Sequence, residues 1–252
     1  MRPIIDNFGT VCYESAKMMA NILQCLVGKT PYHCKNSAQF ASQVSEEKVE
    51  QDEEFISADV TALFTIVPID RALIVLRNRL DEDGTWRKKT KLEADDVITL
   101  TSLCLNCTYF MFDNNYYKQI HRAATGSPLS PIIINLYMEN HEAKTLMAMA
   151  HPPKFYTRYV DDIFLIVKKI QKTNTIEEMN KTDENIKFTI VEEKEQYKIP
   201  NKLLQDDSEE LLPAYDNPKE LANQSLMKVL TLSYQKWSIK VLCTRSHPHM
   251  AH

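Results

Sequence analysis

Asp161 and Asp162 stand side by side between two apolar runs, Phe155-Tyr156 before them and Ile163-Phe164-Leu165-Ile166-Val167 after them. With Tyr159 and Val160 they read as a turn between two strands, both carboxylates at its tip. Adjacent charges beside apolar strands are costly unless neutralised, and a divalent cation with oxygen ligands is the usual partner. A third acid, Asp59, ends the strand-like run Phe55-Ile56-Ser57-Ala58-Asp59-Val60. If the two strands are sheet neighbours the carboxylates converge, and three carboxylates can hold two Mg²⁺ about 3.5–4 Å apart. One ion would lower the pKa of an attacking hydroxyl. The other would neutralise a triphosphate and the departing pyrophosphate. The chemistry implied is metal-dependent nucleotidyl transfer. The string Tyr159–Asp162 is short enough to arise by chance, and an exposed turn also favours Asp, so support must come from the rest of the chain.

The elements that would position these acids follow from apolar spacing. Residues 13–27 carry Ala16, Met19, Ala20, Leu23, Leu26 and Val27 at helical intervals, with Gly28 as the stop. Residues 36–50 predict a second amphipathic helix capped by Asn36 or Ser37. The acids Glu50, Asp52, Glu53 and Glu54 read as a solvated turn. Pro68 opens a helix over 69–80, and another covers 93–107. The cluster Arg87-Lys88-Lys89-Thr90-Lys91 reads first as a solvated loop, ahead of a phosphate contact or a nuclear address. Two aromatic runs, 109–112 and 116–119, flank Asp113-Asn114-Asn115 as a hairpin. A polar loop, 121–128, leads to a helix over 131–149, and a helix near 175–182 precedes a strand over 186–191.

Bulk composition bounds the class. The chain has 252 residues, 44% hydrophobic and 25% charged, which is ordinary for a packed protein of one large or two small domains. A net charge of −4 excludes a surface that grips nucleic acid all over, but not a local basic groove. Of the six Cys, only Cys104 and Cys107 have metal-like spacing, and their apolar helical context favours packing. Cys243, His247, His249 and His252 read as a frayed terminus rather than a zinc cluster. Unpaired-looking Cys fits a reducing compartment. No signal peptide or membrane span is legible, so the expected location is intracellular, nuclear or cytoplasmic.

Three strings in order carry a family resemblance. Asp59-Val60-Thr61-Ala62-Leu63-Phe64-Thr65 comes first, then Gly126-Ser127-Pro128-Leu129-Ser130-Pro131 leading to Asn135-Leu136-Tyr137-Met138-Glu139, then Arg158-Tyr159-Val160-Asp161-Asp162. They resemble motifs A, B and C of a reverse transcriptase palm. Arg2-Pro3-Ile4 with Tyr13–Lys17, Pro31–Ser37, and Ile186-Lys187-Phe188-Thr189 resemble segments of the Penelope-like retroelement branch. The resemblance spans about residues 1–193. It implies an α+β palm, a small antiparallel sheet with helices packed on one face. It further implies RNA-directed DNA polymerisation on an RNA template and a DNA primer, from deoxynucleoside triphosphates, with two Mg²⁺ or Mn²⁺ in their place. Residues 1–54 would be partial fingers and their connection, 55–193 the palm, and 194–252 a divergent tail.

Residue roles follow partly from chemistry and partly from that likeness. Asp59 and Asp161 would bind both metals, Asp162 would complete the cluster, and the Val60 carbonyl would add a ligand. Phe64 matches an aromatic that excludes a ribose 2′-hydroxyl by volume; plain core packing is its other reading. Gly126 allows close backbone approach to the nucleotide or template. Ser127 and Pro128 shape the start of the next helix near the template, and Tyr159 lies beside the primer. Arg2 matches a triphosphate contact, and Lys187 a proton donor near pyrophosphate; exposed ordinary side chains are the alternatives.

The chain also departs from the family pattern. Arg122 and Thr125 stand where the family has Gly and Met, and Ile134 where a small Ala is usual, which predicts overpacking. The fingers upstream of Arg2 and a thumb after Glu193 are not recognisable. A truncated, inactive remnant that at most binds nucleic acid is therefore the rival expectation.

Overall fold

A computed structural model describes residues 10–112, 115–118 and 126–191. Arg2, Arg122, Thr125, the Asp113-Asn114 part of the expected hairpin turn and the tail with its Cys and His residues lie outside the described residues. Helix α1, Tyr13–Leu23, buries Ala16, Met19, Ala20 and Leu23, the predicted stripe, and tightens into a 3₁₀ turn at Gln24–Leu26. Gly28 follows with φ +76°, a conformation that suits glycine, and an added Cβ there would meet the His33 ring at 2.9 Å. Helix α2, Ser37–Ser45, is shorter than expected; the Asn36 side chain caps it by accepting the Gln39 N–H at 2.9 Å.

Strand β1, Glu53–Val60, is followed by a four-residue helix, α3 (Leu63–Ile66), and by α4 (Ile69–Glu82), which starts after Pro68 as anticipated. The basic cluster corrects the solvated-loop reading in part. Arg87 and Lys88 end a 3₁₀ turn, Gly84–Lys88, that buries Trp86 and lets its indole N–H donate to the Leu80 carbonyl at 3.0 Å. Arg87 stacks over that indole at 4.6 Å. Glu53 likewise leaves the expected solvated turn: it is a buried strand residue, paired with Lys154 at 2.9 Å. Helix α5, Ala94–Asn106, opens with a capping box between Glu93 and Asp96. Strands β2, Tyr109–Phe112, and β3, Asn115–Lys118, form a separate hairpin. Then come helix α6 (Ser130–Ala148), β4 (Phe155–Tyr159), β5 (Asp162–Lys168), α7 (Lys172–Thr182) and β6 (Phe188–Ile190).

The main sheet is antiparallel throughout, in the order β4-β5-β1-β6. Its two faces separate cleanly because side chains alternate along a strand. Ile56, Ala58 and Val60 of β1, with Ile163, Leu165 and Val167 of β5, join the main core beneath α1, α4, α5, α6 and α7. Phe55, Phe164 and Ile166 point to the other face, where α2 adds Phe40 and Val44. Phe40 meets Phe164 edge-on at 5.1 Å. The architecture is the expected α+β palm with a small antiparallel sheet. Among the described residues no helix is long and apolar enough to cross a membrane.

Helix α6 packs into the main core with most of its surface buried, including Ile132, Ile133, Ile134, Leu136, Tyr137 and Met138, while Pro131, Lys144 and Met147 are exposed. Ile134 is accommodated there at 1% exposure. Ile134→Ala should therefore leave a cavity and cost about 2–5 kcal/mol in a urea melt; a gain in stability would show the overpacking that the sequence predicts.

His141 on α6 is also buried, with its ring 5.4 Å from that of Phe188. Burial lowers its pKa from 6.5 to about 4, against the opposing pull of Asp183. The unfolded chain therefore binds the proton first, so this residue's contribution is intact above about pH 6.5 and is lost as pH falls toward about 4. His141→Leu should flatten the acid loss of stability in that window, as measured by denaturant melts across pH.

Candidate active site

The β1–β5 ladder sets Asp59 directly opposite Asp162, and on the other side Asp162 pairs with Tyr159 of β4. The turn is thus Val160-Asp161 alone. This corrects the expectation that both adjacent carboxylates sit at the tip: Asp162 is the first residue of β5 and only 2% exposed. A two-residue hairpin loop has room for one of them, and Val160 takes the other place. The Val60 N–H donates to the Asp161 carbonyl at 3.0 Å, so the turn is tied to the end of β1. All three acids consequently lie at one end of the sheet.

Alternation puts Asp59 and Asp162 on the face with Phe164 and Tyr159, away from the helices of the main core. Val60 points the other way and is buried in that core. Thr189 of β6 donates its hydroxyl to the Asp59 carbonyl at 3.4 Å, and the Thr61 N–H donates to the Lys187 carbonyl at 2.9 Å.

Backbone strain collects at the same place. Among the described residues only two non-glycines have positive φ: Ala62 and Val160, both at +57°. Ala62 lies three residues after Asp59 and begins α3; Val160 immediately precedes Asp161. For a β-branched residue this conformation is a true outlier, and it persists only where surrounding contacts enforce it.

Beside Val160 a buried polar network joins β4 to α6. Arg158 and Glu142 are a buried ion pair, with side chains 0% and 1% exposed. The Arg158 fork donates to both Glu142 oxygens, from Nε to Oε1 and from Nη2 to Oε2 at 3.2 Å. Its Nη1 donates to Asn135 Oδ1 at 2.9 Å and to the Val160 carbonyl at 2.8 Å. Tyr156 donates its hydroxyl to Glu142 at 2.8 Å. Burial opposes the Arg158 charge, but Glu142 more than offsets it and holds the guanidinium above its ordinary pKa. Burial also raises the Tyr156 phenol well above its usual value. One turn earlier on α6, Glu139 accepts from the Gly28 N–H at 2.6 Å and from Arg79 at 3.3 Å. The sequence reading gave no role to Arg158, Asn135, Glu139 or Glu142. A signal was present: polar residues at i, i+4 and i+7 along an otherwise apolar helix mark a buried polar stripe.

The other expected site residues fall as follows. Phe64, on α3, is half-buried and packs against the main core. Gly126 and Pro128 are half-buried and Ser127 is buried. The Ser127 hydroxyl accepts from the Leu129 N–H at 3.4 Å just before α6. Tyr159 is half-buried against the second cluster, and Lys187 is exposed. Arg2 lies outside the described residues.

The donor set suits a hard cation: carboxylate and carbonyl oxygens bind Mg²⁺ or Mn²⁺ rather than softer metals. Among the described residues, however, no group of three or more His, Cys, Asp or Glu side chains is placed to hold a metal ion, so the expected convergence of the Asp59, Asp161 and Asp162 carboxylates is not seen as a three-carboxylate cluster.

A strained acidic hairpin opposite a third strand-end acid, on a helix-backed antiparallel sheet, has the form of a polymerase palm. The sequence matches the reverse transcriptase (RNA-dependent DNA polymerase) family over residues 1–242, and the chain belongs to that family. No curated protein matches it significantly. Among solved structures it resembles apo telomerase from Candida tropicalis truncated from its C-terminal domain. There the TM-score is 0.50 at 12% identity, covering 75% of this chain and 42% of that one. It also resembles telomerase from Candida albicans in complex with a TWJ fragment of telomeric RNA, with a TM-score of 0.51 at 11% identity, covering 74% and 35%. The chain therefore spans less than half of either telomerase chain, and at such identity the likeness concerns the fold.

Proposed function

We propose that this chain is the catalytic palm of an RNA-directed DNA polymerase of the Penelope-like retroelement type. Residues 1–54 would be partial fingers, and 194–252 a divergent tail. The observation that carries the reading is the register that sets Asp59 opposite Asp162, with Asp161 tied to the end of β1. In the reaction a primer 3′-oxygen bonds to the α-phosphorus of a deoxynucleoside triphosphate. The bond to pyrophosphate breaks, and the hydroxyl proton passes to solvent water. Two Mg²⁺, or Mn²⁺, held by Asp59, Asp161, Asp162 and the Val60 carbonyl would supply charge neutralisation and a lowered hydroxyl pKa.

The remaining roles belong to the chain. Phe64 stands two residues past Ala62 and would fill the space a ribose 2′-hydroxyl needs. Gly126, with Ser127 and Pro128 fixing the entry to α6, would let the backbone approach the nucleotide and template. Tyr159 would border the primer terminus. Lys187 would lie near the pyrophosphate and Arg2 near the triphosphate. RNA template, DNA primer and deoxynucleoside triphosphates are the partners this reading requires.

Primer extension on an RNA template with Mg²⁺ or Mn²⁺ tests it. Wild type should extend the primer, and Asp161→Asn should lose about 100-fold or more, the scale of removing a preorganised electrostatic group. Binding of primer–template without extension in wild type would favour a non-catalytic remnant. In the same assay Phe64→Val should raise ribonucleotide incorporation about tenfold or more while leaving deoxynucleotide use largely intact.

A further inference from the structure

Arg158 lies on the wrong side of the sheet to touch a nucleotide. Its β4 position pairs with Ile163, whose side chain belongs to the main core, while Asp59 and Asp162 project from the opposite face. A large charged side chain buried completely beneath an acidic turn calls for a reason other than contact with substrate. Among the described residues the one backbone carbonyl its side chain donates to is that of Val160, at 2.8 Å, the residue in the left-handed conformation.

We propose that Arg158 is a positioning residue: it holds Val160 left-handed by gripping its carbonyl, and so fixes where Asp161 stands. The grip is rigid because every part of Arg158 is anchored. Its backbone N–H donates to the Tyr32 carbonyl at 2.8 Å, and its carbonyl accepts from Cys34 at 2.9 Å. Its fork is held by Glu142 and Asn135, both on α6. Tyr156 shares Glu142, so the carboxylate is shaped from two sides. The planar guanidinium can serve three acceptors at fixed angles, which a lysine ammonium cannot do from the same stem. Asn135 also links the turn to the early part of α6, the helix that follows the Gly126–Ser130 loop. The position of that loop and the position of Asp161 are thereby set by one side chain. The consequence for metal binding rests on the proposed role of Asp161 as a ligand; the conformational claim does not.

The test uses the full chain and two variants. Arg158→Met with Glu142→Gln removes the ion pair as a unit, which leaves no uncompensated buried charge, and retains an acceptor for Tyr156. Arg158→Lys keeps the charge beside Glu142 and serves if the double variant fails to fold. The first readout is the Val160 backbone signal in valine-labelled protein: its ¹³C shifts and its HN–Hα coupling report φ. The second is Mn²⁺ titration by electron paramagnetic resonance, with Asp161→Asn as the reference.

In wild type, Val160 should be left-handed. In folded variants it should move to, or average with, negative φ, and Mn²⁺ affinity should drop about 10–100-fold. A merely structural ion pair predicts otherwise: Val160 and Mn²⁺ affinity would be unchanged in variants that fold, and that result overturns the proposal. If wild type and Asp161→Asn bind Mn²⁺ equally, the ligand role of Asp161 fails, and the Val160 signal alone still decides the positioning claim.

Discussion

The antiparallel register of β1 against β5 is the constraint on which the site depends. It places Asp59 opposite Asp162 and lets the Val60 N–H close on the Asp161 carbonyl. A slip of one residue would turn Asp59 toward the helices and Ala58 toward the open face, and would reverse every apolar side chain between them. The register is protected because both faces of these central strands are apolar yet pack against different partners. Ile56 and Leu165 meet the main core, while Phe55 and Phe164 meet α2. The acids ride on a ladder that hydrophobic packing has already fixed.

Beneath the ladder, α6 carries a polar stripe through an apolar core. Buried charges are tolerable there because each has partners. Glu142 is satisfied by Arg158 and Tyr156, and Glu139 by Gly28 and Arg79. The stripe joins elements distant in sequence: the loop at Gly28, helix α4, strand β4 and the acidic turn. The two faces of the sheet divide the labour. One carries Asp59 and Asp162, and the other carries Arg158, whose side chain donates to the Val160 carbonyl.

Much of this was legible in the residues. Period-2 and helical apolar spacing located β1, β5, α1, α4, α5 and α6 to within a few residues, because each buries one face or more of a regular element. That Asp59 would face the acidic pair was legible only on the condition that β1 and β5 are neighbours, and the register sets Asp59 opposite Asp162. Less local features were not. Whether Asp162 ends in the turn or in the strand depends on cross-strand pairing, which no single segment encodes. Trp86 draws part of a basic run into a folded 3₁₀ turn, and burial of an indole overrides local charge. Ile134 is buried in the core, and how it packs there depends on neighbours from other elements rather than on the helix. The Arg158–Glu142 pair joins residues 16 apart, and strand and helix periodicity each see only half of it.

On this reading the paired register and the strained turn would make a two-cation site from Asp59, Asp161 and Asp162. Anomalous diffraction from crystals of the chain grown with Mn²⁺ and a deoxynucleoside triphosphate tests it most directly. The account predicts two Mn²⁺ peaks about 3.5–4 Å apart, bridged by the Asp59 and Asp161 carboxylates. Peaks elsewhere, or a triphosphate bound with no Mn²⁺ at these acids, would contradict it.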